Sequence, residues 1–167
     1  MDPSGGRFVV MGVSGAGKTR VGLAFGEAIG ARFVEGDDLH PPANRAKMAG
    51  GTPLLDEDRA PWLDRVGEAL AAGEAPVVAA CSALRRAYRD RLRAAAPEAV
   101  FLHLEGDPTR VAERLAARKG HFMPPGLLRS QFDTLEPLGA DERGAAVSVE
   151  GPVEEVVARL LAAVRRL

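Results

Sequence analysis

The chain has 167 residues, a formal net charge of −1 and one cysteine. That length suits one compact domain with a substantial core, and 46% hydrophobic with 27% charged residues excludes disordered, collagenous and coiled-coil classes. The charge balance argues against a general nucleic-acid binder, and no apolar run nears the ~20 residues of a membrane helix. One cysteine cannot close an internal disulfide, and residues 1–6 lack a basic region followed by an apolar stretch. A cytoplasmic protein without a signal peptide is therefore expected.

Short apolar runs alternate with amphipathic stretches. Arg7 to Met11 predicts a strand, and Lys18 to Ile29 a helix stopped by Gly30. Arg32 to Val34 predicts a second strand, ending at Glu35-Gly36-Asp37. The stretch 38–56 is rich in Pro and Gly and holds at most a short helix. A helix follows over Asp58 to Ala72, with Pro61 in its first turn and Gly73 beyond its end. Pro76 to Cys81 is the third strand and Ala83 to Ala96 an Arg-rich helix. Val100 to Leu104 is the fourth strand, and the next helix opens with Asp107 as cap and Pro108 in its first turn. Residues 119–140 hold a short helix at best. Ala145 to Val149 is the fifth strand. The last helix opens on Gly151-Pro152 and Glu154-Glu155 and closes on Arg165-Arg166, matching the helix dipole. This alternation predicts one α/β domain: a five-stranded parallel sheet, helices on both faces, and two insertions at strand ends.

Gly12-Val13-Ser14-Gly15-Ala16-Gly17-Lys18-Thr19 matches G-x-x-x-x-G-K-[ST] at every fixed position, between a strand and a helix. The glycines permit positive φ and close backbone approach, so successive N–H groups form an anion nest at a helix N-terminus. Lys18 reaches the β- and γ-phosphates, and the Thr19 hydroxyl ligates Mg²⁺. ATP and Mg²⁺ are the expected cofactors.

A GTP switch needs a guanine-reading N-K-x-D, but the single asparagine, Asn44, precedes Arg45-Ala46-Lys47. A motor or AAA-type ATPase usually carries a strand ending in paired acids and has more chain. Here the third strand ends Ala80-Cys81-Ser82. The second strand supplies acids instead. Glu35 and Asp37 are expected to point the same way at the carboxyl edge of the sheet, facing Lys18. One would support Mg²⁺ and the other would orient a substrate hydroxyl or take its proton, a layout for phosphoryl transfer to a small alcohol.

Several further segments then occur in order. They are Leu39-His40-Pro41 with Asn44 and Lys47-Met48, Pro53-Leu54 with Asp56, and Asp58-Arg59 with Pro61-Trp62. Cys81-Ser82-Ala83-Leu84, Tyr88-Arg89-Asp90, Arg118-Lys119-Gly120-His121-Phe122, Gln131-Phe132 with Thr134-Leu135-Glu136, and Asp141-Glu142 follow. Together with the phosphate loop these resemble the small ATP-dependent gluconate kinases, over about residues 8–160. The resemblance implies a phosphate-loop three-layer fold like those of shikimate and adenylate kinases, with a substrate-binding insertion near 38–56 and a lid near 119–140. It implies phosphorylation of the 6-hydroxyl of D-gluconate by Mg-ATP. It also implies a homodimer, as relatives are commonly dimeric, and no nucleic-acid or membrane partner. Glu35 stands where the family more often has Asp. Pro42 and Ala43 replace frequent basic residues, and Arg85 and Arg86 replace frequent lysines.

Asp37 is the expected acceptor-orienting carboxylate or base. His40 is read either as a hydrogen-bond partner of sugar hydroxyls or as an exposed loop histidine. Lys47 and Arg85 are candidates for the substrate carboxylate, which Arg can bind in bidentate fashion; Arg86 and Arg93 read as a solvated helix face. Ser82 is expected at the carboxyl end of the central strand. Asn44 and His121 join the substrate set by resemblance. Arg114 and Arg118, four residues apart on one helix face, would neutralise charge on the transferred phosphoryl group, arriving with the lid. Pro152 is placed beside the adenine by fold analogy, Cys81 is read as a small buried residue and Trp62 as a core anchor. Another small-metabolite kinase, such as a shikimate-type enzyme, and a non-catalytic ATP-binding regulator remain as alternatives. The three lysines, Lys18, Lys47 and Lys119, all fall within these motif segments.

Overall fold

The computed structural model describes residues 1–118 and 125–167. Its five strands are β1 (Arg7–Met11), β2 (Arg32–Glu35), β3 (Val77–Ala80), β4 (Val100–Glu105) and β5 (Gly144–Ser148). They form one parallel sheet in the order β2-β3-β1-β4-β5. β1 is central, so the connections run to opposite sides of it, and a crevice opens at its carboxyl end.

The helices are α1 (Lys18–Ile29), α2 (Pro42–Ala49), α3 (Asp56–Ala71), α4 (Arg86–Ala95), α5 (Pro108–Ala117), α6 (Pro125–Thr134) and α7 (Val153–Arg166). Successive residues of β1 point to opposite faces. Phe8 and Val10 pack with Phe25 of α1 and Leu160 and Val164 of α7. Val9 and Met11 pack with Trp62 and Leu63 of α3 and Leu92 of α4. Phe8 meets Phe25 edge to face at 5.3 Å, a favourable aromatic geometry. β1, β3 and most of β4 are buried on both faces, whereas β2 and β5 are edge strands and only partly buried.

Four sequence expectations are corrected. α3 starts at Asp56, two residues early, because the Asp58 carboxylate reaches back to accept the Leu55 N–H at 2.8 Å and three acids fill the first turn. Pro61 therefore lies within the helix. α4 starts at Arg86 instead of Ala83, because buried Ala83 has φ 45°, outside helical space. Ser82 follows β3, which lies between β1 and the β2 edge, so it is not at the end of the central strand.

The arginine face of α4 is an ion-pair seam: Arg86 stays exposed, as expected, whereas Arg93 is partly buried, and both are paired. Arg86 grips Asp141 with two bonds of 2.6 and 2.8 Å, and Arg93 reaches Glu142 at 3.0 Å. Arg89 is wholly buried. It holds Glu142 through two bonds of 2.7 and 2.8 Å and also donates to the Ala83 and Leu84 carbonyls. This seam ties the loop after β3 to the chain ahead of β5.

Candidate active site

The phosphate loop leaves the end of β1 and enters α1 through Gly17, at φ 90° in the left-handed region that side chains resist. Its start is fixed across the sheet, where the Gly12 N–H donates to the Ser82 carbonyl at 3.2 Å. Lys18 is half-buried and donates from Nζ to the Val13 carbonyl at 3.0 Å. Burial lowers its pKa, the charges of Asp37 and Glu35 oppose that shift, and Arg118 adds to it. Both acids and Arg118 therefore lie within electrostatic reach of the Lys18 ammonium.

Glu35 ends β2, and a 3-10 turn over Gly36–Leu39 carries Asp37. The two acids are thus not neighbours on one strand face, as the sequence suggested. Glu35 caps the turn, accepting the Asp37 N–H at 3.4 Å through Oε1. Its Oε2 accepts from the Thr19 hydroxyl at 2.5 Å. Gly36 has to be glycine here, because a Cβ would sit 2.3 Å from the Ala80 carbonyl oxygen of β3. That close crossing carries the turn over the sheet edge toward Lys18.

Thr19 and Glu35 together present one hydroxyl and one carboxylate, oxygen donors suited to a hard cation. Among the described residues no group of three His, Cys, Asp or Glu side chains could hold a metal. A divalent ion there would complete its shell with phosphate and water oxygens, as Mg²⁺ usually does.

A cavity of about 700 Å³ runs from Asp37 and Lys18 along the phosphate loop to Pro152. Arg114 and Arg118 both line it. They do not share a helix face, because α5 ends at Ala117 and Arg118 is extended. Arg114 donates to the Val149 carbonyl at 3.1 Å, toward the Pro152 end, while the charge of Arg118 is the one felt at Lys18. Lys119 and His121 lie outside the described residues.

The expected substrate residues divide. His40 is buried, not an exposed loop residue; it stacks on Trp62 with centroids 4.1 Å apart, and burial lowers its pKa. Asn44 is also buried, and its amide nitrogen contacts His40 Nδ1 at 3.2 Å and donates to the Asp58 carbonyl at 2.9 Å. Lys47 is engaged in a 2.7 Å ion pair with Asp58. Arg85 is exposed at the N-terminus of α4, and its side chain caps no backbone group. Ser82 is half-buried beside the phosphate loop. Cys81 is buried and its thiol is pushed up to about 12 by burial, so it carries no nucleophilic role.

Trp62 does more than anchor α3. Its Nε1–H donates to the Gly36 carbonyl at 2.7 Å. Tyr88 donates to Asp56 at 2.6 Å and accepts from Arg59 at 3.1 Å, joining α3 to α4. Gln131 of α6 meets Ser14 of the phosphate loop. The sequence signal for Trp62 and Gln131 is their singularity in the chain within motif segments.

With this geometry in place, comparison with known proteins is decisive. The chain is 46% identical over 143 residues to the thermosensitive gluconokinase of Escherichia coli K12, covering 84% of this chain and 76% of that one. It is 47% identical over 157 residues to the gluconokinase of Gluconobacter oxydans, covering 92% and 88%. The chain belongs to the gluconokinase family. A crystal structure of a gluconokinase from Sinorhizobium meliloti superposes with a TM-score of 0.91 at 51% identity, over 98% of this chain and 93% of that one. The shikimate kinase of Aquifex aeolicus, at 17% identity and TM-score 0.65 over 96% of each chain, shares the fold alone. A family model described as AAA domain matches residues 8–138. The match covers the phosphate-loop core, while the missing acid pair after β3 still separates this gluconokinase-family chain from motor ATPases.

Proposed function

We propose that the chain transfers the γ-phosphoryl group of Mg-ATP to the 6-hydroxyl of D-gluconate. The observation that carries the reading is the meeting of Lys18, Asp37 and the Thr19–Glu35 pair at one end of the cavity, in a chain of the gluconokinase family. The backbone N–H groups of Gly15 to Thr19 cradle the phosphates, and Lys18 leaves the Val13 carbonyl to meet them. Mg²⁺, when bound, neutralises charge between the phosphate oxygens; Thr19 and Glu35 are the residues that would hold it. Asp37 orients the acceptor hydroxyl and takes its proton. Arg118 offsets charge developing on the transferred group. Arg114, held on Val149, lies with Pro152 at the nucleoside end.

Arg85 and Ser82 are assigned to the acceptor, and Arg85 is the stronger candidate for the gluconate carboxylate because Lys47 already serves Asp58. His40 and Asn44 shape the wall that holds Asp37. No helix of the described residues is long and apolar enough to cross a membrane. The reading includes a cytoplasmic location and a homodimer, the latter on family resemblance alone.

A coupled assay over a panel of sugar acids, shikimate and nucleoside monophosphates tests the substrate. Gluconate is expected to turn over at least tenfold faster than the others. Equal or faster turnover of shikimate or a nucleotide would overturn the choice of acceptor, and ATP binding without any turnover would favour a regulator.

A further inference from the structure

Gln131 and Ser14 are 117 residues apart in sequence and form a two-bond ring. The Ser14 backbone N–H donates to Gln131 Oε1 at 2.7 Å, and Gln131 Nε2 donates to Ser14 Oγ at 3.1 Å. Ser14 lies in the phosphate loop between Val13, which holds Lys18, and Gly15. Five residues on, two beyond the end of α6, the chain is fixed to the loop after β3. The Glu136 N–H donates to the Leu84 carbonyl at 2.7 Å, and the Glu136 carboxylate accepts the Arg86 N–H at 2.9 Å. Leu84 and Arg86 flank Arg85 and follow Ser82 closely. Between these two anchors Leu135 packs against the core cluster that includes Val13, and Leu128, one turn before Gln131, is buried in it.

We propose that Gln131 is a positioning residue for phosphoryl transfer: the segment from Gln131, near the end of α6, to Glu136 acts as a strut, pinned through Gln131 to the phosphate loop and through Glu136 to the loop after β3. The strut sets the separation between donor phosphate and acceptor hydroxyl. A neutral amide suits this task. It satisfies both a donor and an acceptor of Ser14, and it brings no negative charge toward the γ-phosphate, as a carboxylate would. Sub-ångström errors in that separation are costly, because in-line transfer depends on the reacting atoms being held at near-contact distance.

The inference rests on the kinase reading above but not on gluconate as the acceptor. The test uses Gln131→Met, which keeps the side-chain length and removes both hydrogen bonds, together with Ser14→Ala and the double variant. Steady-state phosphotransfer is measured with whichever acid the wild type turns over fastest, beside ATP hydrolysis without acceptor and the thermal midpoint. For Q131M, kcat is expected to fall at least tenfold while KM for ATP stays within about threefold. The ratio of acceptor-free hydrolysis to transfer is expected to rise. Because Ser14 is the partner, the double variant is expected to be no more than twofold slower than Q131M. Gln131→Glu keeps an acceptor for the Ser14 N–H but adds charge, so its KM for ATP is expected to rise at least fivefold. A Q131M enzyme within twofold of wild type in kcat and in the hydrolysis ratio overturns the assignment. So does a kcat loss explained wholly by a lowered thermal midpoint, or full additivity with Ser14→Ala.

Discussion

Trp62 donates its indole N–H to the Gly36 carbonyl at 2.7 Å, one residue before Asp37, while its ring carries the stacked imidazole of His40. One side chain of α3 thus grips the acid-bearing turn from both ends. The bond is buried, so losing the donor leaves Gly36 unsatisfied at about 1–3 kcal/mol. Trp62→Phe keeps most of the stacking surface. It is expected to lower unfolding free energy by that amount and kcat several-fold, with KM for ATP nearly unchanged. Urea denaturation and the coupled assay measure both effects.

Asp37→Asn keeps the shape of the turn and removes the proton acceptor. Removing a general base typically costs about 10²–10⁴ in rate. Turnover is expected to collapse in that range, while calorimetric affinity for ATP changes little, since the phosphate cradle is backbone and Lys18. Unchanged turnover would remove Asp37 from its role.

The phosphate loop, the strand and helix alternation and the placing of Glu35 and Asp37 near Lys18 were legible, because they rest on local spacing and on the common edge of a parallel sheet. The capped start of α5 was legible too: Asp107 accepts the N–H groups of Thr109 and Arg110 just as the Asp-Pro start implied. The partners of Lys47 and Asn44 were not. Asp58 lies 11 residues beyond Lys47, across the packing of α2 on α3, and nothing local marks it as a competitor for that cation. His40, in a Pro-rich loop, could be read as an exposed loop histidine or as a partner of sugar hydroxyls. Only the arrival of Trp62 from α3 buries it. Nothing local marks Arg89 as buried either, since its partner Glu142 is 53 residues away.

The two candidate cations for the substrate carboxylate can be separated. Arg85 is exposed and unengaged by the backbone at the α4 terminus, whereas Lys47 is paired with Asp58. Arg85→Ala is expected to raise KM for gluconate about 10–100-fold, the scale of a lost charge-assisted contact, and to leave the thermal midpoint unchanged. Lys47→Met is expected to shift the thermal midpoint and raise KM for gluconate by less. Initial rates at varied gluconate and saturating ATP decide between them; the reverse ranking would return the carboxylate to Lys47.

Glu142 links the fold to pH. The buried Arg89 guanidinium holds its carboxyl down to about 2, with help from the Gly139 N–H and Arg93. A carboxyl depressed in the folded state contributes stability that is fully present above its unfolded pKa, ordinarily near 4.5, and is lost as pH falls toward 2. A shift of this size corresponds to about 3 kcal/mol at neutral pH. Glu142→Gln keeps the volume but leaves Arg89 buried without its counter-charge, which is expected to cost about 3–5 kcal/mol at pH 7. Its unfolding free energy is expected to fall less steeply than that of the wild type between pH 4.5 and 2, so the two converge in acid. Chemical denaturation at stepped pH measures the difference. Parallel curves across that interval would mean that Glu142 does not carry the acid sensitivity.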